Sequence, residues 1–351
     1  MNIQDQAADL PMQTRKQLPE PVPEKTSETI LLVSKKLGDG ASAKVYKADY
    51  PENNCDNSIA VKVFNDSKEN KNGAPEKEFQ ILQQLEAHPN VLKAHDFVKG
   101  KGKLQIPRNI KRNEHDVYAE YRNGNETIEN VDIMTTELCR MDLFDVISEN
   151  GPIKTEKLTK YIFTEISNGL NALHTEAKHA HCDVKLENVL IDSDYKLKLC
   201  DFGFAQEVHK DILTKYGTES YIAPEIETRK EGETYKGVQA DVFSLGVLLF
   251  IFTFGAPPFS RASPNDRNFA IFLRKNELFF KVHPSVKKYI AKNGPVSESL
   301  IDLLTSMLSS DLEKRPVSVQ QVLEHAFFQN GEKFDATECH EEFKQLVQAT
   351  E

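Results

Sequence analysis

A two-lobed α+β fold, with a small strand-rich lobe ahead of a larger helical one, is what this chain of 351 residues predicts. Three observations carry the expectation. Strand-like runs, "TILLVSKKLG" and "SIAVKVF", lie within residues 29–97. Long helical patterns, "TEKLTKYIFTEISNGLNALHTEA", "SESLIDLLTSML" and "VSVQQVLEHAFF", dominate from Thr155 onward. The length suffices for two lobes, each with its own core, and a cleft between them.

In chain order, residues 1–28 are polar, and "PEPVPEK" favours polyproline II, so a disordered tail is expected there. The first lobe is assigned to residues 29–138. Its helix pattern, "EKEFQILQQLEA", repeats Phe79, Leu82 and Leu85 at helical spacing. Residues 99–130 run basic and then acidic, with Gly and Asn throughout, and read as a strand–turn–strand carrying an inserted mobile loop. The second lobe is assigned to residues 139–328. Within it, "VFSLGVLLFIFTFGAPPF" (residues 242–259) is of borderline length for a membrane span. Asp241 at its start, Ser244, Gly246 and Gly255 inside it, and no basic anchors at its end point instead to a buried core helix. Residues 329–351 are expected to form a short acidic tail, whose helical stretch, "ATECHEEFKQLVQATE", is unlike a basic calmodulin target.

Bulk properties narrow the functions. A net charge of −10 argues against a general basic surface for nucleic acid. The five cysteines show no C-x-x-C pairing, so neither a zinc site nor a disulfide framework is indicated, and reduced thiols in the cytoplasm are the simple reading. The start lacks a basic region followed by an apolar stretch, and Asn2 excludes N-myristoylation. No D-x-D-x-D-G calcium loop is present.

Four short stretches carry chemistry. "LGDGASAKV" (residues 37–45) lies between two strands, and glycine there lets backbone approach a phosphate; a plain hairpin turn explains it equally well. "IAVK" ends in Lys62, which in a cleft needs a counter-charge such as Glu78; a solvent-facing lysine is the other reading. "HCDVKLEN" holds Asp183, Lys185 and Asn188, and "KLCDFG" holds Asp201. Asn188 and Asp201 offer hard oxygens for Mg²⁺ that also binds phosphates. Asp183 can accept a hydroxyl proton, and Lys185 can offset charge on a moving phosphoryl group. Taken singly, each is an ordinary surface residue.

In this order, followed by "APE" (residues 223–225), "ADVFSLGV" and "LEKRP", the chain resembles eukaryotic protein kinases over roughly residues 30–328. The resemblance implies ATP between the lobes, with Lys62 on the phosphates and Glu78 positioning it. It implies Gly38, Gly40 and Ala43 over the phosphates, and Leu37, Val45, Ala60 and Leu190 around the adenine. Thr136 would be the gatekeeper before the hinge Glu137-Leu138-Cys139, whose backbone meets the base. Asp142 would reach the ribose, after a turn, "RM", that is one residue short of the family pattern. Mg²⁺ would sit on Asn188 and Asp201, and Arg315 would pair with Glu225.

Lys185, two residues after Asp183, together with Thr218 in "GTESYIAPE", resembles the serine/threonine pattern, so the substrates implied are protein Ser and Thr hydroxyls. "HPNVLKAHDF", "MDLFDVISENGPI" and "VLEHAFF" look most like the calcium/calmodulin-dependent group. One departure bears on regulation. Cys182 stands where many kinases carry the Arg that grips an activation-loop phosphate, and Ala74 and Gln206 fill two further positions often basic. A phosphate on Thr214 would meet no arginine fork, so activity is expected not to need it. The alternative is a pseudokinase scaffold that binds ATP and acts through the 99–130 loop and the tails. Cys200, directly before Asp201, is expected to face the nucleotide pocket.

Overall fold

The computed structural model describes residues 30–40, 42–49, 58–64, 74–106, 126–329 and 334–351. The expected tail at residues 1–28 lies outside them. The first lobe holds strands β1 (Ile30–Asp39), β2 (Ala43–Asp49), β3 (Ile59–Phe64), β4 (Ala94–Ile106) and β5 (Glu126–Thr136), with helix α1 (Ala74–Gln84) after β3. They close into a barrel in the order β1-β2-β3-β5-β4. β3 is rich in β-branched and aromatic residues, and every position is buried except Lys62, which is partly exposed. Leu31, Val33, Tyr46, Val61, Val63, Leu104 and Ile133 fill the barrel, while Phe64, Ile81, Leu82 and Met134 join the core shared with the second lobe.

The strands expected within residues 99–130 are present. Residues 99–106 and 126–130 are strand, and residues 107–125 lie outside the described residues. The barrel closes through this extension, because β1 runs parallel to β4 with Leu31 opposite Leu104 and Leu32 opposite Gln105. Gly102 permits it: a Cβ there would stand 2.2 Å from the Ile133 side chain and 2.7 Å from the Val131 carbonyl.

The second lobe runs through β6 (Met141–Asp142), α2 (Leu143–Asn150), α3 (Glu156–Thr175), β7 (His179–Ala180), β8 (Val189–Ile191), β9 (Leu197–Leu199) and β10 (Gln206–Glu207). It continues through α4 (Pro224–Glu227), α5 (Gly237–Phe254), α6 (Arg267–Arg274), α7 (Asn276–Val282), α8 (Pro284–Asn293), α9 (Glu298–Met307), α10 (Val319–Leu323) and α11 (Ala326–Gln329). α5 is the apolar segment singled out above, and 89% of it is buried inside the fold, as suits a central helix apolar on all sides. Arg315, fully buried, forks onto Glu225 at 2.7 and 3.0 Å and also donates to the carbonyls of Ser309 and Gln239.

The expected acidic tail is a docked helix, α12 (Ala336–Gln348). Asp335 caps it by accepting from the Thr337 and Glu338 N–H groups. Cys339, Phe343 and Val347, four residues apart, form a buried stripe, which turns a charged segment into a packed one.

Candidate active site

The register of the first lobe aims Lys62 into the cleft. β3 pairs with β2 so that Lys62 lies opposite Val45, and with β5 so that Ala60 lies opposite Thr136. Lys62 Nζ donates to both Glu78 oxygens, at 2.7 and 2.9 Å, and to Asp201 Oδ1 at 2.7 Å. Burial works against the charge on Lys62, yet Glu78 and Asp201 outweigh it and hold its pKa above the lysine range. Burial pushes Glu78 up, and Lys62 holds Asp201 down. One ammonium thus ties strand, helix and Asp-Phe-Gly segment together.

The second lobe supplies the other half. Asp241, buried at the start of α5, accepts from the His181 and Cys182 N–H groups at 2.6 and 2.8 Å and bonds His174 Nε2 at 2.8 Å. The segment bearing Asp183 therefore hangs from one carboxylate. His181 Nε2 bonds the Cys200 carbonyl at 3.0 Å and its ring meets Phe202 edge-on, which ties this segment to the next. Asp183 Oδ1 accepts from the Thr218 hydroxyl at 2.8 Å, and Asp183 Oδ2 faces Lys185 Nζ at 2.8 Å. Lys185 also donates to Thr218 Oγ1 at 3.0 Å. Asn188 Nδ2 donates to the Asp183 carbonyl and to Oδ2, at 2.8 and 3.3 Å. That leaves Asn188 Oδ1 as an acceptor, alongside the half-exposed Asp201 carboxylate. Among the described residues no cluster of three or more His, Cys, Asp or Glu is arranged to hold a metal alone. One carboxylate and one amide oxygen suit Mg²⁺ that completes its shell with water and phosphate.

The remaining expected nucleotide residues line the cleft mouth unevenly. Leu37 is exposed on β1, and Val45 and Leu190 are partly buried. The Gly40 N–H donates to the Ala43 carbonyl at 2.9 Å, so the glycine segment turns back on itself. Ala43, expected over the phosphates, is buried and packs into the core. The Glu137 carboxylate is engaged away from the base, accepting from the Lys93 N–H at 2.8 Å. Cys139 packs against the core, and burial holds its thiol neutral, as it does for Cys200 and Cys182. Asp142 caps α2 through the Asp145 N–H at 2.9 Å. Burial, followed by the nearby Asp145 and Glu187 charges, raises its pKa to about 6.

Lys77 is a residue that the sequence did not single out. One position before Glu78 on α1, it donates to the Ala205 carbonyl at 2.6 Å, so adjacent residues of one helix grip both ends of the Phe202–Phe204 turn. The loop bearing Thr214 is pinned as well. Ile212 and Tyr235 exchange backbone hydrogen bonds at 3.0 and 3.2 Å, and the Tyr235 hydroxyl donates to the Thr214 carbonyl at 3.1 Å. Arg229 donates to the Ile212 carbonyl, Lys215 pairs with Glu227 at 2.6 Å, and Lys236 pairs with Asp211 at 2.9 Å.

Comparison with known sequences bears on the family. A family model described as the protein kinase domain matches residues 31–328. CBL-interacting protein kinase 31 of Oryza sativa subsp. japonica is 30% identical over 304 residues, covering 85% of this chain and 57% of that protein. The serine/threonine-protein kinase DCLK3 of Mus musculus is 28% identical over 299 residues, covering 84% of this chain and 32% of that protein. CBL-interacting serine/threonine-protein kinase 7 of Arabidopsis thaliana is 30% identical over 273 residues, covering 74% and 54%. The chain spans about half the length, or less, of these relatives.

Proposed function

The chain belongs to the protein kinase family, and from that premise we propose that it transfers the γ-phosphoryl group of ATP to Ser and Thr hydroxyls of proteins. The observation that carries the reading is the bonding of Lys62 to Glu78 and Asp201 at once, above an Asp183 already engaged with Lys185, Thr218 and Asn188.

Lys62 would hold the α- and β-phosphates, with Glu78 fixing its direction. Asp201 and Asn188 would hold Mg²⁺, which when bound neutralises charge on the phosphate oxygens. Asp183 orients the acceptor hydroxyl and takes its proton. Lys185, beside both Asp183 and Thr218, stabilises the charge that grows on the transferred group. Thr218 holds Asp183 and Lys185 in register.

Activity without phosphate on Thr214 belongs to the same proposal. Contacts from Tyr235, Arg229, Lys215 and Lys236 support it, because they pin the loop through groups other than a phosphate. Lys77, a cation near Cys182, is already committed to the Ala205 carbonyl. The deciding experiment follows transfer of labelled phosphate from Mg²⁺–ATP to a generic Ser/Thr substrate. The expected result is transfer by the parent and a fall of at least about a hundredfold in Asp183→Ala, the scale of a lost general base. Nucleotide binding with no transfer by the parent would make the chain a scaffold and end the proposal.

A further inference from the structure

Helix α12 lies beyond residue 328, where the match to the family model stops, and the contacts of its segment extend past α3, the helix it rests on. Along its length it packs on α3, with His340 Nδ1 3.0 Å from the Tyr161 hydroxyl and Glu338 paired with Lys157. At its far end the partners change. Glu351 Oε1 accepts from Arg140 Nη1 at 2.6 Å, and Thr350 Oγ1 accepts from Asn150 Nδ2 at 2.7 Å. Gln348 Nε2 donates to the Tyr195 hydroxyl at 3.2 Å.

Arg140 is the centre of this cluster. Its guanidinium lies 4.4 Å from the Tyr195 ring centroid and donates through Nε and Nη2 to the Ser193 carbonyl at 3.3 and 3.2 Å. Its own N–H donates to the Ile191 carbonyl at 2.8 Å. Arg140 and Asn150 bracket β6 and α2, the stretch that carries Asp142. Only Arg140 and Met141 separate Cys139, the last hinge residue, from Asp142. Linked Cα atoms stay about 3.8 Å apart, so a displacement of Arg140 is felt first by its two chain neighbours.

We propose that α12, acting through Arg140 and Asn150, is a clasp that sets the position of the nucleotide-binding rim, with Arg140 a positioning residue for nucleotide rather than a contact to it. This rests on the reading of Cys139 and Asp142 as hinge and ribose positions. An exposed ion pair alone contributes little. Here the guanidinium is stacked on a ring, bonded to a backbone carbonyl and paired with a carboxylate, which fixes its plane. The missing residue in the "RM" turn has a counterpart in this support: a short connection is held from outside instead of by its own turn.

The test titrates a fluorescent ADP analogue into the full chain, a readout that needs no phosphoryl transfer. Arg140→Met and Glu351→Lys are each expected to weaken binding about fivefold and to raise KM for ATP in proportion. The rate at saturating ATP stays within about twofold of the parent, the pattern of lost ground-state positioning. Glu351→Asp is expected to bind like the parent. Should Arg140→Met fail to fold, Glu351→Lys, on an exposed carboxylate, carries the test. Parent-like affinity in Glu351→Lys, or equal weakening in Glu351→Asp, overturns the clasp. A chain that binds the analogue but transfers no phosphate defeats the proposed activity and leaves the clasp standing.

Discussion

Cys182 and Asp201 both take positive φ, at 65° and 62°, in a region that side chains with a Cβ seldom occupy. Such strain persists where the surroundings over-determine it. At Cys182 they do. The Asp241 carboxylate holds its N–H, its carbonyl lies 3.1 Å from the place a Cβ on Gly217 would take, and its Sγ lies 3.5 Å from the place of one on Gly237. A thiol held in this way stands where a phosphate-binding Arg is common, and it offers a phosphate no cation. Thr214→Ala is accordingly expected to retain activity within about threefold. A steady-state assay showing a loss above about a hundredfold, roughly 2.7 kcal/mol, would contradict it. Lys62, Glu78, Asp183, Lys185 and Asn188 were legible in the sequence because each belongs to a motif of fixed spacing. Lys77 was not, since a bond to a backbone carbonyl constrains nothing about the residue that supplies it. Asp142 adds a pH signature. Between the ordinary carboxylate value and about 6, the folded chain holds its proton more tightly than the unfolded chain. Its contribution to stability therefore falls as pH rises through that window and is level above it. Asp142→Asn removes this slope, which paired urea titrations from pH 4 to pH 7 would read against the parent.

At the scale of elements, barrel closure was hidden because "KGKGKLQI" supplies few apolar side chains to reveal a two-residue period. Among its described side chains Leu104 is the large inward one, and Gly102, on the same face, must lack a side chain. Gly102→Ala is expected to cost about 1–3 kcal/mol, the usual scale of overpacking, seen as a lower urea midpoint. The docking of helix α12, though not the helix itself, was hidden for the opposite reason. Its charges dominate the composition, whereas Cys339, Phe343 and Val347 determine where it goes. α5 was legible, because a helix apolar all round with polar breaks inside it fits the centre of a lobe better than a bilayer.

At the scale of the whole molecule, Arg315 joins α4, the first turn of α5 and the turn at Ser309 with no exposed surface of its own. Arg315→Met leaves Glu225 without its fork. The expected cost is about 3–5 kcal/mol, as for other broken buried pairs, measured by chemical denaturation. The two-lobe plan followed from the order of strand and helix patterns alone. The way each lobe is finished, by a closed barrel and by a docked helix, depends on pairings between distant segments that no local pattern encodes. One finish has a further effect. An open sheet offers its rim to any extended peptide, from a signalling partner or from an unfolding neighbour. With Ile30–Leu32 joined to Lys103–Gln105, these ends of β1 and β4 are taken out of such a rim among the described strands, so aggregation by strand addition has no starting point at that corner of the small lobe.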